Sequence, residues 1–89
     1  MKNFEKEFEK EINSAREEYE LKAVADNSEA VFIKTTKKKK EYSIMAFPKM
    51  DNDIVPDIVI LEGKNSKVVY STSKLFPIGS TDDNYIDYI

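Results

Sequence analysis

The chain predicts an α+β fold, an N-terminal amphipathic helix packed on a four-stranded, mainly antiparallel sheet made of two hairpins. Three observations carry this. From Asn3 to Ala23 the apolar residues recur at helical period; from Glu29 the texture turns β-branched and aromatic; and four short apolar runs are separated by turn formers. With 89 residues, 40% of them hydrophobic, there is material for a single small domain and one core. The expected division is a helix over residues 3–24, a sheet over 29–72 and a C-terminal covering segment with an acidic aromatic tail over 73–89.

Met1, Phe4, Phe8, Ile12, Ala15, Tyr19 and Ala23 fall on one stripe roughly 100° wide, and nearly every other position is charged or polar. Asn3 is placed to cap the first turn, where Glu5, Glu7 and Glu9 complement the positive end of the dipole. Glu18 with Lys22, and Arg16 with Glu20, have the i,i+4 spacing of surface ion pairs. Ser14 and Glu17 have capping-box spacing, which allows a break near Asn13, but the stripe keeps its phase through Ala15 and favours a continuous helix. Asp26, Asn27 and Ser28 supply turn formers after it.

Residues 30–36 and 41–47 read as strands joined by a turn at Lys37 to Lys40, a turn without Gly, Asn or Asp and hence of undetermined type. Pro48 ends the second strand, and Pro56 holds the approach to the next one extended. Ile58 to Leu61 is the most apolar run and predicts a central strand; Gly63 to Ser66 is a turn, and Lys67 to Thr72 returns as the fourth strand. Leu75 to Gly79 predicts a segment covering an edge of the core, and the residues after it fit either a fifth strand or a short helix.

The residue inventory bounds the chemistry. There is no Cys and no His, which removes disulfides, thiolate and imidazole chemistry and the usual zinc ligands. No pair of acids is marked by position for catalysis, Ser71, Ser73 and Lys74 do not make a Ser-Lys dyad on spacing, and two glycines make no phosphate cradle. Asp51, Asp53, Asp57 and Glu62 have the spacing of calcium-loop positions, but Pro56 stands where that loop needs glycine and a strand follows too soon. The expectation is therefore a non-enzymatic protein with no cofactor and no metal site. No apolar run approaches a membrane span and the N-terminus has no secretory pattern, so a cytoplasmic protein with no membrane association is expected.

Two surface features remain. The tail combines Asp82, Asp83, Tyr85, Asp87 and Tyr88, a mixture suited to a protein interface in which rings supply buried area and acids steer the approach of a basic or nucleic-acid-binding protein. The plain alternative is that its apolar residues dock on the sheet. Lys37, Lys38, Lys39 and Lys40, extended by Lys34 and, if the hairpin tips lie together, by Lys64, Lys67 and Lys74, could neutralise phosphates. Against this, lysines at a hairpin tip are a normal solvated turn, no aromatic interleaves with the run, and a net charge of −3 does not announce a nucleic-acid binder. Glu7, Glu11 and Glu18 on one helix flank could extend an acidic surface. The sequence thus favours a small protein-binding module that inhibits or regulates a larger partner, with a nucleic-acid-binding accessory protein using the lysine hairpin as the alternative and a homo-oligomer pairing edge strands or helix faces as a third reading.

In size and composition, rich in Lys, Asn, Ile and Tyr and poor in Gly with no Trp, the chain resembles small phage-encoded inhibitors, anti-CRISPR proteins among them. The likeness involves no motif and implies no site residue; it is compatible with a phage or mobile-element origin in an AT-rich genome.

Overall fold

A computed structural model describes residues 3–25, 30–49 and 55–81. The element order is α1 (Phe4–Glu7), α2 (Glu9–Val24), β1 (Val31–Lys37), β2 (Lys40–Pro48), β3 (Pro56–Glu62) and β4 (Lys67–Ser71). The four strands form one antiparallel sheet in the order β1-β2-β3-β4, a meander in which every strand pairs with its sequence neighbour. The helix lies across one face of it, as the α+β expectation requires.

The apolar stripe explains that packing. Phe8, Ile12, Ala15 and Tyr19 are buried against Val31, Tyr42, Ile44, Ala46, Ile58 and Ile60, with Phe4 and Ala23 packed at either end. Each strand offers alternate residues to this face, so a helix with one apolar row meets a sheet with one apolar side. Leu21 and Val24, off the stripe, are exposed. The Asn3 side chain accepts from the Lys6 N–H at 3.2 Å, the cap the sequence predicts. The helix is not continuous, however. Phe8 has φ −107 and ψ 24 and separates α1 from α2, whereas the only break the sequence suggested was near Asn13. Phe8 stays on the buried stripe, which is why the apolar spacing hides the interruption. Among the described residues, neither Glu18 with Lys22 nor Arg16 with Glu20 closes to an ion pair.

β2 and β3 run one or two residues beyond their expected limits, β1 is shifted by one residue and β4 ends one residue early, and Pro48 pairs with Pro56 at the far end of the central hairpin. The β1–β2 turn consists of Lys38 (φ 52) and Lys39 (φ 66) between the closing pair Lys37 and Lys40. Two successive left-handed residues identify a type I′ turn, whose twist matches the flanking strands although lysine is a poor occupant of it. Between Ile60 and Leu61 the β3–β4 register shifts, leaving Val69 as an extra residue opposite the pair.

Among the described residues, the second face of the sheet is covered over only part of its width. There Met45, Val59 and Val68 pack with Phe47, Leu61 and Phe76, and the Phe47 and Phe76 rings meet edge to face at 5.2 Å. The segment after β4 thus covers the core with one residue, Phe76, while Leu75 and Ile78 point to solvent. The chain then returns to the outer edge of β4. The Gly79 N–H donates to the Val68 carbonyl and the Val68 N–H donates to the Ser80 carbonyl, both at 2.8 Å. Gly79 and Ser80 together opposing Val68, with Gly79 at φ +95, is the geometry of a G1 bulge, and the positive φ explains the glycine.

Candidate functional site

The expected partner-binding residues Asp82, Asp83, Tyr85, Asp87 and Tyr88 lie outside the described residues, as do Asp51 and Asp53. The lysine hairpin is described, and its four lysines have different environments. Lys37 points inward: its ammonium donates to the Glu7 carbonyl at 2.7 Å, pairs with Glu11 Oε1 at 3.3 Å and lies 4.6 Å from the centre of the Phe8 ring. A cation at the last carbonyls of α1 satisfies a helix terminus, and its three contacts tie the Phe8 interruption to the end of β1. Lys38 reaches Glu7 at 4.0 Å and Lys40 reaches Glu62 at 3.9 Å. Lys39 is exposed at the tip.

These contacts change the charge reading of both surfaces involved. Glu7 and Glu11, counted by sequence as an acidic flank, face the lysines of the hairpin, so each partly cancels the other. The hairpin tips at 38–39 and 63–66 do lie side by side, joined by the Gly63 N–H donating to the Glu41 carbonyl at 2.8 Å, and Lys67 pairs across the strands with Glu62, the acid that Lys40 reaches. Lys74 is at the other end of the sheet, with Phe47, Pro48 and Asp57.

Polar groups elsewhere are structural. The buried Asp57 accepts from the Thr72 hydroxyl at 2.9 Å, and Thr72 Oγ1 also accepts from the Ile58 N–H at 2.9 Å, fastening the end of β4 to the start of β3. Ser71 and Ser73 are bonded to one another, the Ser71 hydroxyl to the Ser73 carbonyl at 3.0 Å. Tyr42, buried, packs edge to face on Phe8 at 4.8 Å and donates to Glu62. Burial first, then that hydrogen bond and the charges of Glu62 and Glu7, push its phenol up to about 12. Among the described residues no cluster of acids is arranged to hold a metal ion, and no helix is long and apolar enough to cross a membrane.

What sequence reasoning missed is the exposure of β1. It is an edge strand of seven residues, and Phe32, Lys34 and Thr36 are all exposed on the face away from the helix, Phe32 at 59%. Phe32 stands beside Met45, and Lys34, Thr36, Glu41, Ser43, Gly63 and Ser66 line an adjoining cleft of about 370 Å³. The alternation of Phe32, Lys34 and Thr36 with Val31 and Ile33 was the available signal, legible only once β1 is known to be an edge. Comparison with protein-family models, with curated proteins and with solved structures finds no match.

Proposed function

We infer that the protein is a small, non-enzymatic protein-binding module of the cytoplasm that inhibits or regulates a larger protein. The observation that carries this is the β1 margin of the sheet, uncovered among the described residues, where Phe32 stays exposed beside Met45 while Phe47, Leu61 and Phe76 close the neighbouring part of that face. A large apolar side chain beside an unpaired strand edge and rimmed by polar residues suits a protein partner that buries ring and edge together. The tail residues Asp82, Asp83, Tyr85, Asp87 and Tyr88 add a second contact suited to a basic surface on the partner. The nucleic-acid alternative is weakened by the engagement of Lys37, Lys38 and Lys40 with acids, which among the described residues leaves Lys39 as the hairpin's lysine without one.

The test is capture by the tagged full chain from nuclease-treated lysate, beside Phe32→Ser, the chain ending at Thr81, and the double variant Lys38→Ser with Lys39→Ser. A defined protein retained in near-stoichiometric amount, lost with Phe32→Ser or the truncation and indifferent to the lysine changes, supports the reading. Capture that disappears with nuclease or with the lysine changes replaces it by nucleic-acid binding.

A further inference from the structure

We propose that the outer edge of β1 receives an extended acidic segment of the partner protein as an added antiparallel strand, with a carboxylate opposite Lys34 and an apolar side chain two residues further on, opposite Phe32. This deepens the protein-binding reading and rests on it. The two-residue turn makes Lys37 and Lys40 the hydrogen-bonded closing pair, so Val31, Ile33, Thr35 and Lys37 bond to β2 and the N–H and C=O of Phe32, Lys34 and Thr36 face away from it. Among the described residues nothing bonds to those groups. The opposite edge is treated differently, since Gly79 and Ser80 take both backbone groups of Val68.

Edges are usually protected by shortness, proline or a bulge. β1 has none of these: its seven residues pair with β2 without a register shift. Among the described residues its protection is Lys34, and a lysine that a basic strand would face with like charge and a neutral one would leave unpaired selects an acidic strand. Among the described residues Lys34 makes no ion pair; Glu41, across the cleft on β2, is the one acid among the described residues lining that cleft. On the incoming strand the residues opposite Thr36, Lys34 and Phe32 all lie on the outer face, so the strand would read acid-x-apolar and extend the Phe32–Met45 row. A second copy of β1 fits less well. Centred on Lys34, two-fold pairing sets that lysine against itself, and shifted by one residue it still brings two lysines and no acid to the seam.

The test is a titration of the ¹⁵N-labelled full chain with two nine-residue peptides, one alternating Glu and Ile on one face with Thr on the other, the second with Lys in place of Glu. The amides of Phe32, Lys34 and Thr36 should shift and gain exchange protection with the acidic peptide, and the Lys peptide should bind at least tenfold more weakly. Lys34→Glu should reverse that preference, and Thr36→Pro, which deletes an outward N–H without touching the β2 ladder, should abolish binding of both while Thr36→Val retains it. Equal affinity for the two peptides, or no response at these amides, overturns the inference. So does a response to protein concentration with doubled mass in sedimentation, which assigns the edge to a second copy. If the peptides fail while the full chain still captures its nuclease-resistant protein, the edge inference falls and the protein-binding reading stands.

Discussion

The two halves of the sheet are finished to different degrees. Around β3 and β4 the helix covers one face, Phe76 closes on the other with Phe47, and residues 79–80 occupy the outer edge. Around β1 the helix side is packed through Val31 and Ile33, while the opposite face presents Phe32 and the edge carries no further strand among the described residues. The same strand therefore serves stability with its odd-numbered residues and is available for recognition with its even-numbered ones. Period-two alternation separates the two roles within seven residues.

The largest effect that probes this contrast is the pair Phe8→Ala and Phe32→Ala. Phe8 is fully buried between the helix and Tyr42, so its truncation leaves a cavity and should cost about 3–5 kcal/mol, a large share of the stability of so small a domain. Phe32→Ala removes a ring that is already mostly solvated and should change stability by less than about 0.5 kcal/mol. Denaturant midpoints compare them directly. Similar losses would mean that the outer face of β1 belongs to the core after all.

The next effect concerns pH. The Tyr42 phenol is raised from its ordinary value of 10.0 to about 12, chiefly by burial and then by Glu62. Its contribution is complete below pH 10, where it is neutral in both states. As pH rises toward 12 the unfolded chain gives up that proton while the folded one keeps it, so stability should fall by roughly 2–3 kcal/mol across the interval. Tyr42→Phe should flatten the decline relative to the parent chain. An unchanged alkaline slope in the variant would mean that Tyr42 does not carry the loss.

Much of this was legible in the residues themselves. The stripe from Phe4 to Ala23 could only be satisfied by one apolar surface, and the β-branched runs supplied it, so helix, strands and core followed from period alone. What escaped depends on residues whose type carries no local signal. The interruption at Phe8 keeps a buried aromatic in phase, and Lys37 reads as one more solvated lysine until the fold brings Glu7 and Glu11 beside it. Lys74, which sequence grouped with the hairpin cations, lies at the other end because the chain runs the length of β4 before reaching it. Open and closed edges are likewise a property of strand order, to which Phe32, Lys34 and Thr36 contribute nothing on their own.

The β1–β2 turn offers the smallest and most local way to sharpen the comparison. Lys38 and Lys39 both hold positive φ, a conformation that costs an L-residue with a Cβ about 1–2 kcal/mol, whereas the turn of the other hairpin begins on Gly63 at φ +74. One tip places glycine at the first of its two left-handed positions and Ser66 (φ 51) at the other, whereas its neighbour has lysine at both. Lys39→Gly relieves the steric cost and gives back part of it as added freedom in the unfolded chain, so a net gain of about 0.5–1 kcal/mol is expected, visible as a thermal midpoint a few degrees higher. Because Lys39 makes no contact with the helix acids, the gain should come without any change at Lys37 or in the amides along the edge of β1. If the variant is instead destabilised, the left-handed pair is held by something other than the twist of the two strands, and the register that turns Phe32, Lys34 and Thr36 outward loses its simplest explanation.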